Sequence, residues 1–448
     1  MKVFTAQQMR EADRITIERG TPGEVLMENA GRRVAEAIER HFSPLRAQRV
    51  LVVCGKGNNG GDGRVVARLL RGRVAELQEI DIDHPQQIRF SPTVIVDAIL
   101  GTGLSGPARG AALEWIRKIN SLRPPARVVA VDIPSGLGGG GEFVRADVTV
   151  TFAAFKVEHF FAEGAEEAVG ALMLGDIGVD TDAVPCDLET SEMRHFAALA
   201  APRTPDSHKG NFGHVLIIGG APGKAGAAAM AGLAAARIGA GLTTVACSDP
   251  SRLAPELMSD SLENFSLEKI TVIAVGPGLG PNRPLMERLL REAKAPMVID
   301  ADGLNSIAGS DFRGRGVETI LTPHPGEMAR LMGAKFTDRL STARDFAKNR
   351  NCCVVLKGHR TLIALPDGRV WINTTGSPAM AKGGSGDVLT GMIAGMAAQF
   401  PGDIALAVRA AVFLHGRCGE FAAEALTDKC VLATDLLHYL PRAFRECL

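Results

Sequence analysis

Two loops in this chain carry carboxyl groups where backbone amides would otherwise bind an anion. In the first, "GKGNNGGDG", three glycines follow an apolar run with the G-x-G-x-x-G spacing of dinucleotide-binding loops. Asp62 then places a negative charge in the first turn of the predicted helix, where it would cap the helix but repel a pyrophosphate. Asn58 and Asn59 suit a sugar, an amide or a hard cation better than a diphosphate. A tight turn without ligand is the alternative.

The second loop is "AKGGSGDVLTG", in which glycines lead into Asp387 and an apolar helix. The backbone amides of Gly383 to Gly386 can point together at an anion. An aspartate beside that anion disfavours a bound phosphate, but it is suited to take a proton from a hydroxyl that attacks the phosphate. The alternative is that Asp387 only caps the helix.

Three further sequence features bear on the chemistry. "GTGLSG", from Gly101 to Gly106, repeats the G-x-G-x-x-G spacing in the same half of the chain, so this pattern alone is weakly specific. "GGAPGKAG" is not a P-loop, because Ala225 stands where Ser or Thr would hold magnesium and the glycines are one residue too close. His324 in "TPHPGE" has no Cys or His at metal-ligand spacing, so we expect it to contact substrate.

The rest of the sequence predicts how these loops are positioned. Short apolar runs that end in Gly-rich or polar loops alternate with helical stretches, which predicts mostly parallel sheets with helices on both faces. In such α/β folds ligands bind at the carboxyl ends of the strands. The periodicity breaks near Pro185 and resumes at "HVLIIGG". We therefore predict two tandem Rossmann-like three-layer domains, residues 1–185 and 186–448.

Smaller signals predict particular elements. Thr5 and Gln8 fit a capping box, a helix is expected after Pro22, and a hairpin is expected near Pro366–Arg369.

Composition excludes several classes of protein. The 448 residues suffice for two or three domains. Lys+Arg and Asp+Glu both number 50, which gives no reason to expect nucleic acid or an anionic membrane as partner. We find neither a secretory signal nor an apolar run near 18 residues. The eight cysteines are scattered without C-x-x-C spacing, so we expect reduced thiols in a cytoplasmic protein.

The motifs, taken together, resemble two known families. The first half resembles the NAD(P)H-hydrate epimerase domain through "LMENAG", "GKGNNGGDG", "DAILGTGLSGP", "VDIPSGL" and "VTFAAFK". The second half resembles the ribokinase-like, ADP-dependent NAD(P)H-hydrate dehydratase through "SHKGNFGHVLIIGG", "VGPGLG", "IDADGLN", "LTPHPGE", "LKGHRT" and "GSGDVLTG". The resemblance implies a bifunctional isomerase and lyase of nicotinamide nucleotide repair. It would interconvert R and S NAD(P)H hydrates and dehydrate the S form to NAD(P)H with ADP, giving AMP and phosphate.

For the first domain the resemblance implies a set of site residues. Substrate would contact Asn58, Asn59, Gly60, Gly61 and Asp62. Its phosphates would lie along Gly101, Thr102, Gly103, Leu104, Ser105, Gly106 and Pro107. A potassium ion would be bound by Asn59, Asp97 and Ser135. Asp132 would touch the reacting ring and is our choice for proton transfer, and Lys156 could stabilise developing negative charge.

For the second domain the resemblance implies substrate contacts from Ala225, Gly278, His324 and Asp387. ADP would lie along Lys357, Gly358, His359, Arg360, Thr361 and Gly386. Asp387 would deprotonate the C6 hydroxyl, which would take the β-phosphate of ADP before phosphate leaves. Magnesium would accompany the nucleotide. The expected ligands are NADHX, NADPHX and ADP, and we expect a homo-oligomer.

The sequence also departs from the family pattern and leaves two rival functions open. Ser385 replaces an expected threonine, Lys224 an aromatic residue and Lys56 a proline. One rival is a ribokinase-like kinase of a vitamin or sugar, fused to a binding domain and releasing a stable phosphorylated product. The other is a first domain that binds or assembles without catalysis. The intact "NNGGDG" with Asp97, Asp132 and Ser135 argues against the second rival, because polar groups at strand ends contribute little to a core.

Overall fold

The computed structural model describes residues 1–447, with Ala200 described through its backbone only. These residues form two compact units that divide between Cys186 and Asp187, beside the boundary predicted near Pro185. None of the helices in residues 1–447 has the length and apolar character needed to cross a membrane.

The first unit begins with a short strand and two helices and then alternates between strands and helices. Its elements are β1 (Val3–Phe4), α1 (Ala6–Glu18), α2 (Gly23–His41), β2 (Arg49–Cys54), α3 (Asn58–Leu70), β3 (Glu76–Asp81), β4 (Val94–Ala98), α4 (Gly110–Leu122), β5 (Arg127–Val131), β6 (Val148–Phe152), β7 (Phe155–Lys156), α5 (Glu158–Phe161), α6 (Ala165–Ala168) and β8 (Ala171–Gly175), with 3-10 turns at Leu45–Ala47 and Thr181–Ala183.

The main sheet of this unit is parallel throughout, with the strand order β3-β2-β4-β5-β6-β8. Strand β2 shows why it has a helical layer on each face. Its residues Val50 and Val52 pack in one core with α2 and α3, whereas Leu51 and Val53 pack in another with α4. Because alternate side chains point to opposite faces, an almost continuously apolar strand is buried on both.

The N-terminal predictions are confirmed with one exception. Thr5 and Gln8 form the capping box of α1, and α2 begins at Gly23 directly after Pro22. The expectation that Asp62 caps α3 is wrong, because that helix begins at Asn58, which makes Asp62 its fifth residue. A Cβ on Gly60 would lie 1.9 Å from the carbonyl oxygen of Gly55, so the glycines allow the helix to begin almost directly after β2.

The second unit contains a larger sheet and longer helices. Its elements are β9 (Leu188–Thr190), β10 (His214–Ile218), α7 (Ala225–Ile238), β11 (Leu242–Ala246), β12 (Met258–Asp260), β13 (Val272–Val275), α8 (Arg283–Glu292), β14 (Met297–Ile299), α9 (Ala301–Ile307), β15 (Thr319–Leu321), α10 (Pro325–Met332), α11 (Arg339–Arg350), β16 (Cys353–Leu356), β17 (Leu362–Ala364), β18 (Val370–Ile372), α12 (Ser385–Gln399), α13 (Ile404–Cys430) and α14 (Asp435–Glu446), with 3-10 helices at Met193–Ala200, Lys209–Phe212, Pro250–Arg252 and Pro378–Met380.

This second sheet has the order β12-β11-β10-β13-β14-β15-β16-β17-β18-β9. Strand β17 runs antiparallel to β16 and β18, and the hairpin predicted near Pro366–Arg369 joins β17 to β18. The Gly/Ala-rich helices α7 and α12 pack closely on one face. A Cβ on Gly391 would lie 2.0 Å from the carbonyl oxygen of Ala231, so only glycine permits this approach. The predicted α/β class is confirmed for both units.

Candidate active sites

In the first unit, the three residues expected to bind potassium lie together at the carboxyl ends of the strands. Asp97 is fully buried in β4, and its two carboxylate oxygens accept hydrogen bonds from Ser135 Oγ (2.6 Å) and Ser135 N (2.8 Å). Ser135 Oγ also accepts from Leu100 N at 2.9 Å. Asn59 Nδ2 donates to the Leu100 carbonyl at 3.0 Å. The cluster therefore joins α3, β4 and the loop after β5.

This cluster contains several oxygen atoms that could bind a cation, but only one carboxyl group. Burial raises the pKa of Asp97 to about 6 despite its hydrogen bonds from Ser135. Within residues 1–447 no three carboxylate, His or Cys side chains are grouped as a metal site would require. One carboxylate with amide, hydroxyl and carbonyl oxygens fits a singly charged alkali cation better than a divalent or thiophilic metal.

Asp132 directly follows β5 and has a strained backbone, with φ of +65°. Surrounding contacts hold it there: Asp132 N donates to Val150 O at 2.7 Å, and His159 Nε2 lies 2.9 Å from Asp132 O. Its Oδ1 accepts from Lys156 Nζ at 2.5 Å and from Thr151 Oγ1 at 2.9 Å. The left-handed backbone therefore directs this carboxylate onto a buried ammonium group.

The Lys156 ammonium is saturated by oxygen acceptors. Besides Asp132 it donates to Thr151 Oγ1 at 2.8 Å and to Phe152 O at 3.0 Å. Burial opposes ionisation of Asp132, but the Lys156 charge and hydrogen bond outweigh it and hold the pKa of Asp132 below its ordinary value. Asp132 is thus kept as a carboxylate, and Lys156 is its counter-ion.

Two further carboxyl groups belong to this site. Asp62 in α3 is 9% exposed, and burial, followed by the negative charges of Asp132 and Asp13, raises its pKa to about 8. Asp13 in α1 is partly buried, and burial raises its pKa to about 6, although the charge of Lys156 opposes the shift. Within the described residues neither carboxyl has a hydrogen-bond or ion-pair partner. The sequence reasoning missed Asp13.

The glycine loop expected to bind phosphates lies between β4 and α4. Gly103 and Gly106 have φ of +113° and +80°, conformations that favour glycine. The guanidinium of Arg10, on α1, lies beside this loop, 3.6 Å from where a Cβ of Gly103 would stand. Asn58, Gly60 and Gly61 lie in the first turn of α3, so both loops flank the same strand ends.

In the second unit, Asp387 is the third residue of α12, whose N-cap is Gly384. The alternative that Asp387 only caps this helix is therefore wrong. Burial raises the pKa of Asp387 to about 6, and the charge of Asp300 adds to the shift while Lys357 opposes it. Its carboxyl group has no hydrogen-bond partner in the described part of the chain. Asp387 is thus a free carboxyl beside the amides that begin a helix.

Lys357 and Asp300 form a buried ion pair next to that carboxyl. Lys357 Nζ donates to Asp300 Oδ1 at 2.7 Å, and Thr390 Oγ1 donates to Asp300 Oδ2 at 2.8 Å. A Cβ on Gly386 would lie 3.3 Å from Lys357 Nζ. The structure thus places Lys357, Gly386 and Asp387 together.

The remaining predicted residues lie in loops at the carboxyl ends of these strands. His324 caps α10, and its side chain is half exposed, 3.6 Å from Glu327 Oε1. Ala225 begins α7, and Gly278 has φ of +62°, with its carbonyl accepting from Ala221 N at 2.8 Å. Lys224 Nζ lies 3.4 Å from Asp302 Oδ2.

The segment expected to bind ADP is fixed by an arginine from α11. Arg339 donates to the carbonyl oxygens of His359 (2.6 Å) and Leu356 (3.4 Å). Gly358 and Arg360 have φ of +145° and +55°, and Thr361 Oγ1 donates to Gly358 O at 3.1 Å. The segment is therefore an irregular loop between β16 and β17.

Comparison with known proteins assigns this chain to one family. A family model described as NAD(P)H-hydrate dehydratase matches residues 215–442, and one described as the YjeF-related protein N-terminus matches residues 23–88 and 72–157. The bifunctional NAD(P)H-hydrate repair enzyme of Moorella thermoacetica is 38% identical, covering 100% of this chain and 97% of that protein. The chain belongs to the bifunctional NAD(P)H-hydrate repair enzymes.

Other members and a solved structure agree with this assignment to the repair enzymes. The Escherichia coli repair enzyme is 36% identical, covering 88% of this chain and 85% of its own length. The ADP/ATP-dependent NAD(P)H-hydrate dehydratase of Bacillus subtilis, co-crystallised with ATP and Mg²⁺, matches with a TM-score of 0.55 and 35% identity. That match covers 58% of this chain and 99% of the Bacillus protein. A ribokinase-like superfamily protein of Enterococcus faecalis matches with a TM-score of 0.53 and 31% identity over 58% of this chain and 96% of its own, which confirms the ribokinase-like prediction for the second unit.

Besides Asp13, sequence reasoning missed Asp300 and His415 in this repair enzyme. Asp300 stands at the end of a short strand inside the quoted motif "IDADGLN", so its position after β14 was a usable signal. His415 is buried in α13 with its Nε2 3.0 Å from the Ser385 carbonyl, and burial lowers its pKa to about 4. This neutral histidine supports the start of α12, and nothing in the local sequence indicates it.

Proposed function

We propose that this chain repairs hydrated nicotinamide nucleotides with two active sites. The first unit would interconvert the R and S forms of NADHX and NADPHX, and the second would dehydrate the S form with ADP. The main observation behind this proposal is that each unit has its own aspartate at the strand ends, and that the two carboxyl groups have different partners. Asp132 is held as a carboxylate by Lys156, whereas Asp387 stands free beside the Gly-rich start of a helix.

In the epimerase site, Asp132 would exchange protons with the substrate at the nicotinamide ring. Asn58 to Asp62 would contact the substrate, and the loop from Gly101 to Pro107 would hold its phosphates. Asn59, Asp97 and Ser135 would bind potassium, which would supply a positive charge next to the phosphates. Asn59 and Ser135 both donate to the Leu100 carbonyl, and Ser135 also donates to Asp97, which supports that role.

In the dehydratase site, Asp387 would remove the proton of the C6 hydroxyl as that oxygen attacks the β-phosphate of ADP. Lys357 with Gly358, His359, Arg360, Thr361 and Gly386 would bind the nucleotide. Ala225, Gly278 and His324 would contact the hydrate. Once phosphorylated, the C6 oxygen would leave as phosphate, pushed by the ring nitrogen lone pair, and loss of a proton from C5 would then form the C5=C6 double bond of NAD(P)H.

Magnesium would enter this site with the nucleotide. Asp387, Asp300, Asp302 and Glu327 act electrostatically on one another or on Lys357, which gives an acidic environment near the expected phosphates. These carboxylates fit a cation that is held mainly by phosphate oxygens. The proposal also includes ADP rather than ATP as the phosphoryl donor, a cytoplasmic location and a homo-oligomeric state, which rest on the resemblance and the composition.

The test is to incubate the full chain with a mixture of R and S hydrate, ADP and magnesium. We expect both epimers to disappear, reduced cofactor to be recovered, and AMP and phosphate to form in equal amounts. A stable phosphorylated product would instead identify a kinase. Consumption of the S form alone, with the R form untouched, would leave the first unit as a binding module. Equal or faster turnover with saturating ATP would overturn only the ADP preference.

A further inference from the structure

Helix α1 brings an additional carboxyl group to the epimerase site. Its buried residues Met9 and Ala12 pack with Phe4 and Ala154. Strand β1, just before α1, pairs with β7 so that Phe4 lies opposite Lys156. Asp13 is the neighbour of Ala12, and the charges of Lys156 and Asp132 act on it. The family model for this unit begins at residue 23, after α1.

The three carboxyl groups around Lys156 differ in their contacts. Asp132 is held by Lys156 and Thr151 through Oδ1. Asp62 is about nine-tenths buried, and within the described residues its carboxyl has no hydrogen-bond or ion-pair partner. An unpaired buried carboxyl is costly as an anion, so it is retained as a neutral acid. The site therefore holds one ion pair and one neutral acid, and the charges of Asp132 and Lys156 act on that acid.

Inverting the configuration at C6 of the hydrate requires one group that gives a proton and one that takes it. We propose that Asp62 is the proton donor of the epimerase, that Asp132 is the acceptor, and that Asp13 is a positioning residue that acts on Asp62 through its charge. This inference rests on the epimerase activity proposed above. Enzymes commonly assign acid and base roles to two carboxyl groups in this way, with one environment favouring the protonated form and the other the ionised form.

The chemistry balances without a further reactant. Asp62 transfers its proton to the C6 hydroxyl oxygen, the C6–O bond breaks, and the electron pair leaves with the oxygen as water. The ring nitrogen lone pair forms an N1=C6 double bond. A water then adds to C6 from the opposite face, the π electrons return to N1, and Asp132 takes the proton of that water. One proton has moved from Asp62 to Asp132, and exchange with solvent, or turnover in reverse, restores the first state.

The proposal predicts how epimerisation depends on pH. The groups that act on Asp62 are Asp13 from α1, Asp132 after β5 and Lys156 from β7, and His159 of α5 faces Asp132. Burial raises the pKa of Asp62 to about 8, so its donor form is lost as the pH rises through that value. Epimerisation should therefore decline above about pH 8. Removing the charge of Asp13 should lower the pKa of Asp62 and move this decline to lower pH.

The experiment uses the full chain with purified R hydrate and no ADP, so that only inversion is followed by chromatography, from pH 6 to 10. Asp62→Asn should lower kcat by about 10²–10⁴, the contribution typical of a positioned acid, with a smaller change in KM. Asp13→Asn should shift the alkaline decline of the rate to lower pH. Glu11→Gln is the matched control, because Glu11 lies on the same helix but pairs with Arg14 at the surface.

The results show separately whether the roles of Asp62 and Asp13 fail or whether the proposed epimerase function itself fails. If the wild-type chain inverts the R hydrate and Asp132→Asn does not, the epimerase assignment is supported. Asp62→Asn with wild-type kcat and an unchanged alkaline decline would overturn the inference while leaving that assignment intact. Should Asp62→Asn fail to fold, as judged by thermal unfolding, the Asp13→Asn profile decides. If the epimerisation rate of Asp13→Asn declined at the same pH as that of Glu11→Gln, the result would count against the proposal.

Discussion

The Asp387 carboxyl illustrates how neighbouring charges set the working range of one residue. Burial and the nearby Asp300 charge disfavour its ionised form, and Lys357 favours it. Burial also opposes the charge of Lys357, but Asp300 and Glu327 raise the pKa of its ammonium, so it stays charged. A base must be ionised to accept a proton, so this balance determines at which pH dehydration can proceed.

We expect the dehydration rate to fall as the pH drops through about 6, where Asp387 becomes protonated. In Lys357→Met the opposing positive charge is gone, so the pKa of Asp387 rises and the fall begins at higher pH. The measurement is kcat for the S hydrate at saturating ADP between pH 5 and 8. Because Lys357 is also proposed to bind ADP, saturation must be verified at each pH. A profile of Lys357→Met that overlays the wild type would contradict this account.

At the scale of elements, the proposed potassium site depends on three separate segments meeting. Asn59 is in α3, Asp97 in β4 and Ser135 after β5. Hydrogen bonds link Asn59 to Ser135 through Leu100, and Ser135 donates directly to Asp97. Carboxyl ends of neighbouring parallel strands lie at one sheet edge, so residues distant in sequence come together there. A cation at this point would stabilise the unit as well as assist substrate binding.

Replacing potassium by tetramethylammonium at equal ionic strength should slow epimerisation and lower the temperature of thermal unfolding, since an ion bound only by the folded state stabilises it. Asn59→Ala retains the Asp97–Ser135 hydrogen bonds but removes an oxygen ligand. In this variant both effects of potassium should weaken. The site would be disproved if the two salts gave the same epimerisation rate and the same unfolding temperature for the wild type.

Much of this element-level arrangement could be predicted from the sequence. Apolar runs ending in polar loops located the strand ends, whereas the resemblance to the epimerase domain singled out Asp97, Asp132 and Ser135 there. The start of α3 was placed too late, because the close contact of Gly60 with Gly55 is tertiary and leaves no periodic signal. Asp13 was not predicted as a site residue, because α1 is brought to the site by the pairing of β1 with β7. Each of these strands has two residues, and 151 positions separate partners such as Val3 and Phe155.

At the scale of the whole molecule, each unit has its own sheet, glycine loops and aspartate. Asp387→Asn keeps the shape of the side chain but removes the base, so dehydration of the S hydrate should fall by about 10²–10⁴. Inversion of the R and S forms should continue. Asp132→Asn should do the reverse, leaving the R form to invert at its slow spontaneous rate. Both epimers would be followed chromatographically in each variant.

Circular dichroism of both variants is the control for folding. If Asp387→Asn also stopped inversion while the fold was intact, the assignment of two independent sites would be wrong. If Asp132→Asn inverted the hydrate at the wild-type rate, Asp132 would not be the proton acceptor, and the pairing of Asp62 with Asp132 would fall with it.

The path of the chain around residue 187 has a practical consequence for dividing the gene. Strand β9, Leu188–Thr190, belongs to the second sheet, where it pairs with β18 at the far edge. Cys186, two residues earlier, contacts the Val3 carbonyl of the first unit through its sulfur at 3.6 Å. A gene split between codons 186 and 187 keeps every strand of residues 1–447 on the same polypeptide as its partners. A split only five codons later would transfer β9 to the wrong product and expose the backbone of β18 as a new edge, a known starting point for aggregation.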